Sequence, residues 1–251
     1  MWSRSQLKER AKFALKNNYW RIVLVTLIVF LIGGASTDFG VTVEYEDLKS
    51  ALSAAIPNAY VLGLTSLVLI GVVLVASVVG ILLSVFVFSP LEVGTKRFYI
   101  KSLSQPAEIS EVSFGFDKNY KNVVKVLFFQ KLYIFGWSLL FVIPGIVKAY
   151  EYYMVPYLLA ENPNLTKEEV FRLSKQMMTG QKWEAFVLEL SFIGWDILAS
   201  FTWGLLGVFY VEPYRHLTLA AFYEEISMIH GRPALAFEQS WNTNPYGYEE
   251  I

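Results

Sequence analysis

Residues 59–89 form a run of thirty-one positions without one Asp, Glu, Lys or Arg. As a helix rising about 1.5 Å per residue, the run is roughly 45 Å long, more than the roughly 30 Å hydrocarbon layer of a bilayer requires. It predicts a transmembrane helix that tilts or projects. Within it Ala76, Gly80 and Ser84 form a ridge of small residues suited to close helix packing. The rest of the chain agrees with a membrane setting: 55% of its 251 residues are hydrophobic, 16% aromatic and only 17% charged. Its net charge of -1 says little, because in such a protein the placement of Lys and Arg matters more than their total. With no Cys, disulfides, thiolate metal sites and Cys nucleophiles are excluded together.

Five further apolar stretches predict five more spans. Residues 3–18 place Leu7, Ala11, Ala14 and Leu15 on one helical face among Lys8, Arg10, Lys12 and Lys16, as an interfacial helix would. Tyr19 and Trp20 mark the headgroup level, and residues 22–34 cross. The basic N-terminus lacks a signal peptide's short apolar core and early small-residue cleavage site, so it is expected to be retained; Ala35-Ser36 is the one place where cleavage can be argued. An acidic loop over 37–59 belongs outside, and the basic segment 90–125 inside. The third span runs over 126–143 and the fourth over 146–160, joined by an outer hairpin turn at Pro144-Gly145, with Lys148 and Glu151 close to it. Thr166 and Glu169 have the spacing of a capping box, which opens a second interfacial helix over 166–179. Residues 183–203 and 204–223 supply the last two spans. The expected fold is thus all-α, a six-span bundle occupying residues 1–226, with both ends cytoplasmic and a mobile tail over 227–251. Reading 126–160 as a single kinked span would leave five crossings and put Lys167, Arg172, Lys175 and Lys182 outside, against the positive-inside rule.

A threefold pattern runs through these spans. Asn18-Tyr-Trp-Arg, Asn119-Tyr-Lys-Asn and Gly180-Gln-Lys-Trp each follow a charged segment and start a span. Phe88-Ser-Pro-Leu, Met154-Val-Pro-Tyr and Val211-Glu-Pro-Tyr each end a return. The unit would be an interfacial helix, a helix in and a Pro-bearing helix back, although basic and aromatic anchors recur at helix starts in any membrane protein.

Charges inside spans are the candidate functional residues. A carboxylate near a helix centre costs about 2.5–3.5 kcal/mol, while each Leu, Ile, Phe or Val returns about 0.3–0.6 kcal/mol. The nine such apolar residues of the fifth span, worth roughly 3–5 kcal/mol, do not comfortably offset Glu189 and Asp196 together. Seven residues apart, those two share a face that must meet the bundle interior or water. Arg215 is their expected partner, with Glu212 one turn away and Lys131 next. Such a cluster either fixes helix register or lines a polar path. Glu212 and His216 are spaced to share a metal, but a zinc site needs a third ligand and no metal is expected. Tyr150, Tyr152 and Tyr153 read as an interfacial belt. No phosphate-binding loop, nucleophile elbow or dinucleotide fingerprint is present.

Pro-Leu-Glu-Val-Gly at 90–94, Phe114-Gly-Phe, Ile-Pro-Gly-Ile at 143–146, Lys148-Ala-Tyr, Met154-Val-Pro-Tyr, Ala160-Glu-Asn-Pro and Ser191-Phe-Ile-Gly-Trp resemble a bacterial family of multi-pass membrane proteins classed as a domain of unknown function. The resemblance covers about residues 1–226 and implies a protein of the bacterial cytoplasmic membrane with no assigned activity. The layout is also distantly similar to the membrane portion that precedes the catalytic domain in some glycerophosphodiester phosphodiesterases. No catalytic domain follows here, so that activity is not carried over. The expectation is a non-enzymatic membrane protein without cofactor, acting through lipid or a partner membrane protein, with anionic lipid at its cytoplasmic face and no nucleic-acid partner. The alternative is a small transporter or channel that uses the intramembrane charges.

Overall fold

The computed structural model describes residues 2–37, Ser50 and residues 59–231. The expected acidic loop and most of the tail lie outside the described residues, which are helical with no strand among them. In chain order the helices are α1 (Arg4–Thr37), α2 (Ala59–Leu83), α3 (Ser89–Ser102), α4 (Phe114–Asp117), α5 (Tyr120–Leu140), α6 (Val142–Glu151), α7 (Val155–Glu161), α8 (Lys167–Met178), α9 (Lys182–Leu190), α10 (Ile193–Ser200) and α11 (Glu212–Ile229). Two π-helical turns, Ser84–Phe88 and Gly207–Val211, lead into α3 and α11, and a 3₁₀ turn, Ile109–Ser113, precedes α4. Three stretches are long and apolar enough to cross a membrane: Arg4–Leu31, Thr65–Ser102 and Tyr120–Leu140.

Proline places the core. Pro90, Pro156 and Pro213 each stand in the first turn of α3, α7 and α11, where a missing N–H has no intrahelical partner to lose. These three helices pack together, α3 against both others, and Tyr157 of α7 stacks on Tyr223 of α11 at 5.0 Å. The first half of α1 closes over them: Trp2 meets Phe222 edge-on at 5.0 Å, and Arg10 reaches Glu224 and Glu225. The 3₁₀ turn docks on α3 through glycine. A Cβ on Gly94 would lie 1.9 Å from the Val112 carbonyl oxygen, and one on Gly115 would lie 2.1 Å from that of Pro90.

Both expected amphipathic helices form, with a different partner for their apolar faces. α1 breaks at Asn18 (φ -127°, ψ 25°), where the interfacial segment was expected to end. Yet Leu7, Ala11, Ala14 and Leu15 are buried in the protein core, as are Val170, Met177 and Met178 of α8. Protein covers these faces in place of lipid: α1 packs on α11, and α8 packs on α7. The capping box of α8 forms as read: Glu169 N–H donates to Thr166 Oγ1 at 3.4 Å, and Thr166 N–H donates to Glu169 Oε2 at 2.9 Å.

The hairpin turn is displaced from its expected place. The backbone breaks at Phe141 (φ -155°, ψ 140°), and Pro144 is the third residue of α6. Gly145 N–H donates to the Phe141 carbonyl at 3.2 Å, so Pro and Gly begin the returning helix and do not make the turn. Gly145 is needed for closeness, since a Cβ there would lie 2.2 Å from Ser138 Oγ on α5. Lys148 and Glu151 accordingly lie seven and ten residues beyond the break, well away from the turn.

The stretches read as the fourth and fifth spans are interrupted. Residues 152–154 turn before α7 and residues 191–192 separate α9 from α10, whereas the turn at residues 201–204 falls where the fifth and sixth were expected to meet, and helix then runs on through the π-helical turn into α11. Pro156 removes a ladder donor just after the first of these breaks. Likewise α2 continues through its π turn into α3, and its residues 66–83 are all exposed.

Candidate functional site

Arg215 in the first turns of α11 anchors an open groove of about 350 Å³ lined also by Tyr150, Phe186, Glu189, Leu190, Ile193 and Asp196. Its guanidinium donates to Glu212 at 2.9 Å and, through the other nitrogen, to Asp196 across the groove. α10 and α11 meet at this bridge. Two carboxylates on one guanidinium leave a net negative charge, so the groove favours a cation or a proton over an anion.

Glu189 lines the same groove without meeting Arg215. It accepts hydrogen bonds from the hydroxyls of Tyr150 at 2.6 Å and Tyr153 at 2.7 Å. The expectation that Glu189 and Asp196 share a helical face assumed one continuous helix, and the break at residues 191–192 removes that geometry. Lys131 is elsewhere, donating to Ser89 Oγ at 3.0 Å. Glu212 and His216 approach to 3.6 Å, but His216 stacks on Tyr99 at 4.9 Å, and no group of three metal-ligating side chains occurs among the described residues.

A second polar assembly surrounds buried Glu151. Its carboxylate meets Lys148 at 3.0 Å, Lys182 at 3.4 Å and Lys175 at 3.6 Å, while its backbone carbonyl accepts from Ser174 at 2.9 Å. Gln130 donates to the Tyr152 carbonyl at 2.9 Å, which ties α5 to this level. Lys148, Glu151, Lys175 and Lys182 therefore make a charged collar at the base of the α5–α6 hairpin, with Lys131, next to Gln130 on α5, turned to Ser89. Lys148 and Glu151 were legible as a pair three residues apart on one helix. Lys175 and Lys182 were not, because they arrive from α8 and α9.

Two further charged assemblies lie outside this region. Arg97 and Lys101, one turn apart, both clasp Glu111, at 2.7 and 2.5 Å, and Arg97 also donates to the Ala160 carbonyl at 2.7 Å. Burial would raise the Glu111 pKa, but the two hydrogen-bonded cations outweigh it and hold this carboxyl below its usual value. Glu224 behaves oppositely. Burial pushes its pKa up to about 7 against the pull of Arg10, and its Oε1 is buried with no partner among the described residues.

The Glu224 shift predicts a pH dependence. Between the ordinary carboxyl value of 4.5 and about 7, the folded chain holds a proton that the unfolded chain has lost. Stability from this group is therefore full below pH 4.5 and is lost as the pH rises through 7, by about 3 kcal/mol. Melting in detergent is expected to fall between pH 5 and pH 8. Glu224→Gln, which keeps an acceptor for Arg10, should flatten that slope and melt several degrees above wild type at pH 8. A wild-type midpoint that rises over the same interval would contradict the assignment.

No curated protein and no solved structure matches the chain. Residues 108–230, from the 3₁₀ turn to the end of α11, match the model of a family described as a protein of unknown function, DUF975, so the groove and the whole collar lie within a stretch similar to a family of unknown function.

Proposed function

We propose that the chain is an integral protein of the bacterial cytoplasmic membrane, with both ends cytoplasmic, that acts without enzymatic chemistry through lipid or a partner membrane protein. The observation that carries this reading is the full exposure of residues 66–83, an uncharged helix that no packed core requires to be so apolar. Exposed Lys12, Lys16, Lys118, Lys121, Lys125 and Arg172 suit anionic headgroups at the inner face. The threefold unit finds support in the three Pro-headed helices and in three backbone departures at the expected starting points: Asn18, Asn119 (φ 45°) and Gly180 (φ 79°).

A second reading, a carrier for a cation or proton, is favoured by the acidic groove around Arg215. Asp196→Asn separates the two. If the groove is structural, the variant leaves Arg215 with one carboxylate in place of two and melts a few degrees below wild type, and proteoliposomes of wild type leak cations no faster than protein-free vesicles. If it is a path, wild-type vesicles show flux, and the variant accumulates normally while losing it. The membrane assignment itself is tested by alkaline carbonate washing, after which the protein should remain in the membrane pellet and be released only by detergent.

A further inference from the structure

We propose that two apolar hairpins, α5–α6 and the one closed by residues 201–204, do not cross the bilayer: each enters and leaves through the cytoplasmic face, and acyl chains surround its tip near the midplane. This deepens the membrane reading above and rests on it.

Glu151 sets the depth of the first hairpin. Its carboxylate touches Lys175 and Lys182, in a basic segment that belongs on the cytoplasmic side. Only ten residues separate Glu151 from the break at Phe141, and ten more separate Phe141 from Lys131 in the other arm. At about 1.5 Å per residue each arm reaches roughly 15 Å beyond the collar, half of a roughly 30 Å hydrocarbon layer. The 21-residue length of α5 does not alter this, because its first twelve residues carry Lys121, Lys125 and Lys131. The second hairpin is shorter. Its turn lies five residues past Asp196 and eight residues before Glu212, so its arms reach only about 8 to 12 Å above that bridge.

The tips have the chemistry of a hydrocarbon environment. Residues 132–147 and 197–211 contain no charge. Phe141 is 73% exposed, Ile143 76% and Trp203 96%; around the first tip both arms are largely exposed apart from Gly145 in their seam, and in the second hairpin the turn and most of the outgoing arm are exposed while residues 207–211 pack on α1. A protein partner covers one face of a helical finger, whereas lipid wets all of it. Trp203 also sits at φ 54°, where Gly or Asn would be favoured in a water-facing turn.

Much of the turn backbone is satisfied from within, which lowers its cost in hydrocarbon. Thr202 Oγ1 donates to the Ala199 carbonyl at 2.9 Å and accepts from Leu206 N–H at 3.1 Å. The amides of Thr202, Gly204, Leu205 and Val208 all find carbonyls inside the turn. In the first hairpin Phe141 N–H bonds Trp137, Gly145 N–H bonds Phe141, and Pro144 has no N–H to leave open.

The Cys-free chain permits a direct test in the whole protein. Single cysteines at Phe141→Cys and Trp203→Cys, with Lys175→Cys as the inner-face reference, are treated with a membrane-impermeant maleimide in sealed vesicles of each orientation. Both tips are expected to label at less than about a tenth of the Lys175→Cys rate from either side, and fully after denaturation. Nitroxides attached there should be relaxed by dissolved oxygen and hardly by a water-soluble nickel chelate. Labelling from the face opposite Lys175→Cys would show that the hairpin crosses, overturning this inference while leaving the membrane reading intact. Labelling from the same face at the Lys175→Cys rate would put the tips in water and overturn this inference, while the membrane reading, which rests on residues 66–83, would fall only if carbonate washing released the protein. Ile143→Cys and Leu205→Cys serve identically if either tip variant fails to accumulate.

Discussion

Gly94→Ala is expected to abolish accumulation of folded protein. The new methyl would lie 1.9 Å from the Val112 carbonyl oxygen and 2.5 Å from its carbon, so it meets backbone and not a side chain that can rotate away. Relief requires the 3₁₀ turn to leave α3. That would also part Glu111 from Arg97 and Lys101 and lift Phe114 from the Arg97 guanidinium, which lies 4.0 Å above its ring. Overpacking typically costs about 1–3 kcal/mol where side chains can shift, and a backbone collision exceeds that range, against a total stability of about 5–15 kcal/mol. Gly115→Ala should behave alike, its methyl falling 2.1 Å from the Pro90 carbonyl oxygen. Gly71→Ala and Gly80→Ala are the matched controls, with nothing within 4 Å of the added carbon, and should accumulate as wild type does. Size-exclusion profiles of detergent extracts read all four, and a wild-type peak for Gly94→Ala would contradict the docking of the 3₁₀ turn.

Glu151→Ala is expected to have the next largest effect, roughly 3–5 kcal/mol of destabilisation, because it strands cations around a buried site that has lost its only carboxylate. Lys148, mostly buried, suffers most; Lys175, largely exposed, can turn to water. Lys175→Ala should therefore change melting by less than about 1 kcal/mol. Glu151→Gln should fall between, keeping an acceptor for Lys148 but no charge. Thermal melts in detergent at fixed pH and salt give the order. Equal losses for Glu151→Ala and Lys175→Ala would mean that the collar does not hold the hairpin base.

What the sequence disclosed here was local. The charge-free run, the break near Asn18 and the capping box at Thr166 could be read because each depends on neighbours within one or two turns. The partners of Glu189 could not. Tyr150 and Tyr153 had the look of an interfacial belt, and their hydroxyls face Glu189 only because α6 and α9 are brought side by side. The face shared by Glu189 and Asp196 was lost for a different reason: seven-residue spacing holds along an unbroken helix, and residues 191–192 break it. Pro144-Gly145 misled in the same manner. Proline was taken as the end of a helix, whereas in a first turn it is equally a beginning, and Phe141 carries no compositional mark of the extended backbone it adopts.

The bare surface of α2 has a mechanical consequence. In the membrane setting proposed above, a helix of 25 residues, about 38 Å long, would exceed the apolar thickness it must match, and the mismatch would have to be absorbed somewhere. Among the described residues no side chain packs where Gly71 and Gly80 leave open space, so α2 would lean about its root in the π turn at Ser84–Phe88 without moving Pro90 or the helices stacked on it. Thickening or thinning of the bilayer would then be taken up as tilt in one helix, and the packed core would not feel it.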